Sequence, residues 1–335
     1  MARGATRAPV LVLVDDEGCA DDAVEWAAAE AAAGGSPLQL LHAFHPPLPA
    51  DPYGLLPPAD APSARAAAEP VLRDAAARAR AVSGEIEVST RLVPGTAARA
   101  LLHEARHARM LVLGVRGRSG LPGWLRGAVP GHVAARAPCP VVVIHPAGDR
   151  KLGRSAPRVV VGVDGTPSCA AAVAFAFHAA RQRGIPLTAV LAWTPDTPAD
   201  LESVSGAPAM AEADGRRALA QSLRCGQEAF GDVPVVTKVM CADPVRALVA
   251  EADGAALVVV GSRGRGHILG TLLGSVSRSV LKYAHCPIAV VRHDATTTAG
   301  ARPAEPAGGE HAPVPGSGPI RPGDARWFRI RRISR

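Results

Sequence analysis

Five glycines, Gly261, Gly264, Gly266, Gly270 and Gly274, lie between the apolar run Leu257-Val-Val-Val260 and a helix-like segment opening at Ser275. The usual strand-to-helix connection has roughly 2 to 6 residues, and this one is about twice that. Glycines let backbone N–H groups close on an anion, and a helix N-terminus favours negative charge. Ser275 can cap that helix or bond a phosphate oxygen, while Arg263 and Arg265 supply neutralising charge. The chemistry this spacing suits is phosphate binding. A second polar turn, Asp164-Gly165, closes the apolar run that starts at Val159.

Weaker versions of other chemistries are present. His103-Glu-Ala-Arg-His107 matches the H-E-x-x-H pattern of zinc sites, but no third ligand follows at a suitable distance, and a polar helix C-terminus accounts for it. Asp15-Asp16 is reminiscent of a phospho-receiver pocket. That mechanism needs an Asp ending the third strand and a Lys ending the fifth, where Leu92-Val93-Pro94 and Ile144-His145 stand instead. The six cysteines form no C-x-x-C pair, so free thiols in a reducing cytoplasm are expected. Cys139 and Cys286 read as core residues; Cys19 and Cys169 fall near turns where exposure could allow oxidation, but an unreactive thiol is the favoured reading because nothing in the sequence argues a lowered pKa.

The elements that must position these residues occur twice. Asp15 and Asp164 lie 149 residues apart, and Gly117 and Gly264, like Cys139 and Cys286, lie 147 apart. A unit of about 145 residues is duplicated. In each copy β-branched runs alternate with Ala-rich helical stretches, the pattern of βαβ units and a parallel sheet covered on both faces. Strands are expected near 9–14, 38–44, 86–93, 110–114 and 140–145, then near 157–163, 187–193, 233–240, 256–261 and 287–292. Helices in the second copy are expected near 168–183, 208–229, 244–253 and 275–284. The fold class is α/β: two tandem doubly wound, five-stranded parallel-sheet domains, Rossmann-like, over 1–148 and 156–293. A Pro/Gly-rich, disordered tail, basic at its end, is expected over 294–335. In such sheets the ligand crevice lies at the carboxyl ends of the first and fourth strands.

Composition narrows the function. No stretch is long and apolar enough to be a membrane helix. Aromatic residues are only 3%, too few for a base-stacking surface, and five of the excess positive charges belong to Arg326–Arg335. That leaves a near-neutral body and no expected nucleic-acid partner. The motif Arg331-Arg-Ile-Ser334 could serve a kinase or an acidic lipid, although a solubilising tail is the simpler reading, so membrane contact is not expected.

The spacing Gly261-x2-Gly264-x9-Gly274-Ser275 is similar to the nucleotide-binding signature of the universal stress protein family. The lead-in Val258-Val-Val-Gly-Ser-Arg-Gly264 and the closing His285-Cys-Pro-Ile-Ala-Val-Val-Arg292 also resemble that family. The resemblance spans 9–292 as a tandem pair. It implies a cytoplasmic ATP-binding regulator or sensor of the stress response, with ATP, with or without magnesium, as ligand and an unidentified regulatory protein as partner. Carried over, the site is Asp164, Gly165, Trp193, Val260, Gly261, Arg263, Gly264, Gly274, Ser275 and Val276. Trp193 stands where the family more often has Val, and Ala242 where Gly is common. The first copy offers Asp15, Gly114, Gly117 and Gly127, but Ala128 replaces the Ser and Pro130 follows, so this copy is expected to bind poorly.

No Walker-A lysine or nucleophile with an adjacent base is evident, so no enzyme is expected. The alternatives are a slow ATPase or nucleotidyl transferase using Asp164 and magnesium, and a nucleotide-independent scaffold. Apolar last strands invite edge pairing, as family members do, which predicts an internal pseudo-dimer and allows a homodimer of chains.

Overall fold

The computed structural model describes residues 7–15, 20–44, 61–115, 128–146, 156–194, 207–263 and 273–293. The first copy runs β1 (Val10–Val14), α1 (Asp21–Gly34), β2 (Leu38–Phe44), α2 (Ala61–Val82), β3 (Val88–Pro94), α3 (Ala97–Glu104), β4 (Met110–Gly114), α4 (Ala128–Arg136) and β5 (Val141–Ile144). The second runs β6 (Val159–Gly162), α5 (Ala170–Arg183), β7 (Leu187–Trp193), α6 (Ala207–Ala229), β8 (Val235–Cys241), α7 (Pro244–Glu251), β9 (Leu257–Gly261), α8 (Ser275–Tyr283) and β10 (Ile288–Val291). Each observed end of these strands and second-copy helices lies within two residues of its expected place. The expected tail lies outside the described residues, as do residues 149–155 between the two copies, and Cys19.

Strand chemistry explains the layers. Val10, Val12 and Val14 point to one face and Leu11 to the other, following the period of two in an extended chain. The first face is covered by α1, α2, α5 and α6, through residues such as Val24, Leu72, Phe177 and Leu223. The second is covered by α3, α4, α7 and α8, through Leu101, Val133, Leu248 and Val280. Burying a side chain such as Val, Leu or Phe in these layers contributes about 1.5–3 kcal/mol. With aromatics scarce, the core is built from aliphatic residues and alanines.

Within each copy the strands are parallel and ordered third, second, first, fourth, fifth. The whole sheet reads β3-β2-β1-β4-β5-β10-β9-β6-β7-β8. The last strands were expected at sheet edges, and the structure refines this. β5 and β10 pair antiparallel, with Ile288 opposite Val143, Ala289 opposite Val142 and Val290 opposite Val141. Two five-stranded halves therefore make one ten-stranded sheet, and the apolar strands sit fully buried at its centre. The outer strands are β3 and β8, whose side chains are half-buried or exposed.

Further contacts join the copies. His145, just past β5, donates from Nε2 to the Leu281 carbonyl in α8 (3.2 Å), and Arg292, just past β10, donates to the Ala135 carbonyl in α4 (3.2 Å). On the other face Arg183 of α5 meets the buried Glu30 of α1 at 2.6 Å, and its guanidinium lies over the Trp26 ring. Arg109 bonds both Ser36 and Gln182.

Candidate functional site

The strand order reverses between β6 and β9, so their carboxyl ends form the crevice at which this architecture takes ligands. Asp164 leaves β6 half-buried. Its Oδ1 accepts two bonds from Thr166, from the backbone N–H (2.9 Å) and from the hydroxyl (2.8 Å). Gly165 between them has φ +74°, a left-handed conformation that suits glycine and lets the chain fold back on the carboxylate. The carboxylate is thereby fixed at the mouth of the crevice.

Across the crevice, the two ends of the glycine-rich connection are tied together. Gly274 donates its N–H to the Ser262 carbonyl (2.9 Å), and Ser277 donates its hydroxyl to the Gly261 carbonyl (2.6 Å). Ser262 is itself anchored to β10 through the Val291 carbonyl (2.8 Å). A Cβ on Gly261 would sit 3.1 Å from the Arg263 carbonyl oxygen, and one on Gly274 would sit 3.4 Å from the Ser262 carbonyl oxygen. The first approach is tighter than ordinary packing, so Gly261 is where a side chain would force the backbone to give; the second is ordinary van der Waals contact. Ser275 is exposed at the first position of α8, and Arg263 is exposed beyond β9. Val260 is buried and Val276 half-buried in the α7–α8 side of the core, so their side chains hold the loop's ends rather than face a ligand. Gly264 lies outside the described residues.

Trp193 ends β7, next to β6. Its carbonyl accepts from the Ala242 N–H (2.9 Å), and its ring packs half-buried on the α5–α6 side of the core. The indole Nε1 is buried with no hydrogen-bond partner among the described residues. A buried indole N–H usually finds an acceptor, so this atom is a donor awaiting one. The glycine cradle and this donor both fit a nucleotide.

Thr166, Ser262 and Ser277 are the site residues that sequence reasoning missed. Ser277 had a signal, because its counterpart is Pro130.

In the first copy the framework persists. Val115 bonds the Ile144 carbonyl (3.0 Å) just as Ser262 bonds Val291. The polar fittings do not persist. Glu17 stands in sequence where Thr166 clasps Asp164, so Asp15 has no matching hydroxyl two residues on. Gly114 ends β4, half-buried, while Gly117 and Gly127 lie outside the described residues. Pro130 falls in the first turn of α4, a place Pro tolerates, and offers no hydroxyl to tie the loop.

The remaining candidates resolve into structure. Glu104 is buried and engaged by Arg91 (2.7 Å) and by His103 Nδ1 (3.1 Å). The equivalent pair in the second copy, Lys238 with Glu251 (2.6 Å), has the same geometry, so this acid braces a helix end against an edge strand. α3 stops at Glu104, and Ala105–His107 form a 3-10 turn, so His103 and His107 do not sit one α-helical turn apart. Cys169 follows the favoured reading of an unreactive structural thiol. It is buried, its Sγ bonds the Thr166 carbonyl (3.0 Å), and burial, aided by the Asp164 charge, raises its pKa. Cys139 is pushed up to about 12 by burial and is inert.

Comparison with known proteins agrees with this architecture. The profile of the universal stress protein family matches residues 6–145 and again 156–292. A universal stress protein of Mycobacterium tuberculosis is 37% identical over 292 residues, covering 84% of this chain and 96% of that protein. One from Mycolicibacterium smegmatis is 36% identical over 296 residues, covering 87% and 99%. Among solved structures, a universal stress protein from Archaeoglobus fulgidus superposes with a TM-score of 0.60 at 18% identity, covering 85% of this chain and 98% of that one, a likeness of fold. With a tandem match over most of its length and relatives of this identity, the chain belongs to the universal stress protein family.

Proposed function

We propose that the protein is a nucleotide-responsive regulator that binds ATP in its second copy. The observation that carries this reading is the tied glycine cradle: Gly261 and Gly274 brought together by the Ser262 and Ser277 bonds, opposite a clasped Asp164. In this reading Asp164 takes the ribose hydroxyls, the Trp193 region takes the base, and the backbone from Gly261 to Val276, with Ser275 and Arg263, takes the phosphates. ATP would supply a ligand whose level reports the energy state of the cell, and magnesium, if present, would ride on its phosphates.

Regulation rather than catalysis is favoured by what lines the cradle: backbone amides and hydroxyls that can hold a phosphate chain, with Asp164 already engaged by Thr166. The five described cysteines are free thiols, which suits the cytoplasm as the place of action. No helix among the described residues is long and apolar enough to cross a membrane. Because β5 and β10 already pair within the chain, the pseudo-dimer is internal, and a homodimer of chains would need a different surface.

Calorimetry with ATP and magnesium tests the reading. One ATP bound per chain is the expected result. No binding would favour a nucleotide-independent scaffold, and steady turnover of ATP well above background would favour a slow ATPase or nucleotidyl transferase.

A further inference from the structure

The modest net charge of the body hides a local imbalance. Between Arg91 and Asp149 the chain carries seven Arg and four His, and the one acid there is Glu104. Glu104 is buried and held by Arg91, so it does not offset charge at the surface. On the α3–α4 face four of these basic residues, Arg99, His103, Arg106 and His132, line an open groove of about 430 Å³ together with Thr96 and Leu102. Arg99 and Arg106 are exposed and make no hydrogen bond or ion pair among the described residues. Arg136 donates to the His132 ring (2.5 Å), adding a third guanidinium at one end.

The second copy has no such face. At the matching positions stand Arg246, Ala250, Asp253 and Ser279. Thr96 corresponds to Asp243, whose carboxylate is used to cap α7 through the Arg246 N–H (2.9 Å), whereas the Thr96 side chain makes no capping bond. The fold alone therefore does not require the cationic rim.

We propose that the α3–α4 groove of the first copy is a docking surface for an acidic segment of a partner protein. Guanidinium forks match carboxylates in bidentate geometry, and unpaired exposed forks cost little to desolvate on the partner's arrival. Arg99 and Arg106 are separated by about 11 Å along the helix and its 3-10 extension, the reach of roughly three extended residues. That span suits two acidic side chains on one strand of chain better than a single phosphate. No aromatic side chain among the described residues lines the groove, which leaves a single-stranded nucleic acid without a stacking platform there. The surface is independent of the nucleotide site, which lies in the other copy.

The test uses the full chain without ATP and a fluorescent ten-residue peptide of alternating Glu and Gly, followed by anisotropy. The peptide is expected to bind, to weaken as salt is raised, and to lose at least tenfold in affinity in R99Q/R106Q, while R246Q at the matching position of the second copy leaves it unchanged. Both arginines are exposed, and an unchanged melting temperature in the double variant confirms its fold. The proposal is overturned by absence of peptide binding, by equal binding to R99Q/R106Q, by full displacement with inorganic phosphate at matched ionic strength, or by tighter binding of a random-sequence DNA duplex.

Discussion

At the end of β6, Asp164 is gripped twice by Thr166; at the end of β1, Glu17 stands in sequence at the position of that threonine, two residues past Asp15. Around α8, Ser277 ties the glycine loop shut, while around α4 Pro130 cannot. Yet the strands beneath these sites share order, register pattern and burial. The duplicated framework is set by apolar alternation, which both copies keep, whereas the proposed nucleotide site rests on a few hydroxyls and glycines that differ between copies of the same fold. The α3–α4 face of the first copy carries Arg99, His103, Arg106 and His132 where the second has Arg246, Ala250, Asp253 and Ser279.

The sharpest way to break this comparison is at the paired acids and loops. Asp164→Ala or Gly274→Val is expected to weaken ATP at least 100-fold, whereas Asp15→Ala should change it less than twofold. A charged-group hydrogen bond contributes about 1.5–3 kcal/mol and each 1.4 kcal/mol is tenfold, so losing two or three contacts reaches that range. Calorimetry on each variant reads it. Equal losses from Asp15→Ala and Asp164→Ala would erase the asymmetry. Conversely, Ala128→Ser with Pro130→Ser should restore part of the first site, raising its affinity about tenfold.

Next in size is the bond between the copies. Glu30 is 6% exposed and Arg183 20%, and their contact also orders the Arg183 stack on Trp26. Glu30→Ala strands a partly buried guanidinium. Breaking a buried pair costs about 3–5 kcal/mol, and the residual exposure of Arg183 and its ring contact reduce this to roughly 2–3. The denaturant midpoint should fall accordingly. If the copies then unfold in two steps, the joint is what made them one cooperative unit, and a midpoint shift near zero would assign the joint to the β5–β10 pairing alone.

A smaller difference separates the two braces on the edge strands. Glu104 is held by Arg91 and His103, whereas Glu251 is held by Lys238 and also by Arg158 (3.4 Å). Removing Arg91 leaves its acid with only a neighbouring imidazole, but removing Lys238 leaves a guanidinium in place. Arg91→Ala is expected to cost roughly 1–2 kcal/mol and Lys238→Ala under about 1, both muted because the cations are 41–50% exposed. Thermal melts of the pair decide it, and the reverse order would mean that Arg158 plays no part.

Much of this was legible in the sequence, for identifiable reasons. Strand and helix limits follow from local periodicity, and the crevice follows from strand order, which βαβ units constrain tightly. Asp164 and the glycines announced themselves by spacing. The Ser277 tie was not legible, because it closes a loop across 16 residues and depends on how α8 enters. Nor was the Glu30 to Arg183 pair, 153 residues apart, which exists only because the last strands pair antiparallel and bring α1 beside α5. The direction of the Cys169 side chain was not legible either, because position near a turn does not reveal it; the 3-10 turn Pro167–Cys169 sends its sulfur inward. The cationic groove was hidden by averaging charge over the chain.

The smallest expected effect concerns pH and the same joint. His178 on α5 is half-buried near Arg109, Arg181 and Arg183, with Glu30 opposing them; burial first, and then the Arg109 charge, lower its pKa below the usual 6.5. The folded joint therefore holds a neutral imidazole, while in the unfolded chain the ring takes a proton as pH falls through about 6.5. The unfolded state binds more protons there, so stability is present in full above pH 6.5 and declines as the pH drops toward the lowered value of the folded ring. Melting temperature should fall modestly between pH 7.5 and pH 5.5, and His178→Asn should flatten that dependence. In Glu30→Ala, the one carboxylate that opposes the arginines is gone, so the ring's pKa should drop further and the acid sensitivity should extend to lower pH. A profile unchanged by either substitution would place the acid response elsewhere and leave the joint insensitive to protons.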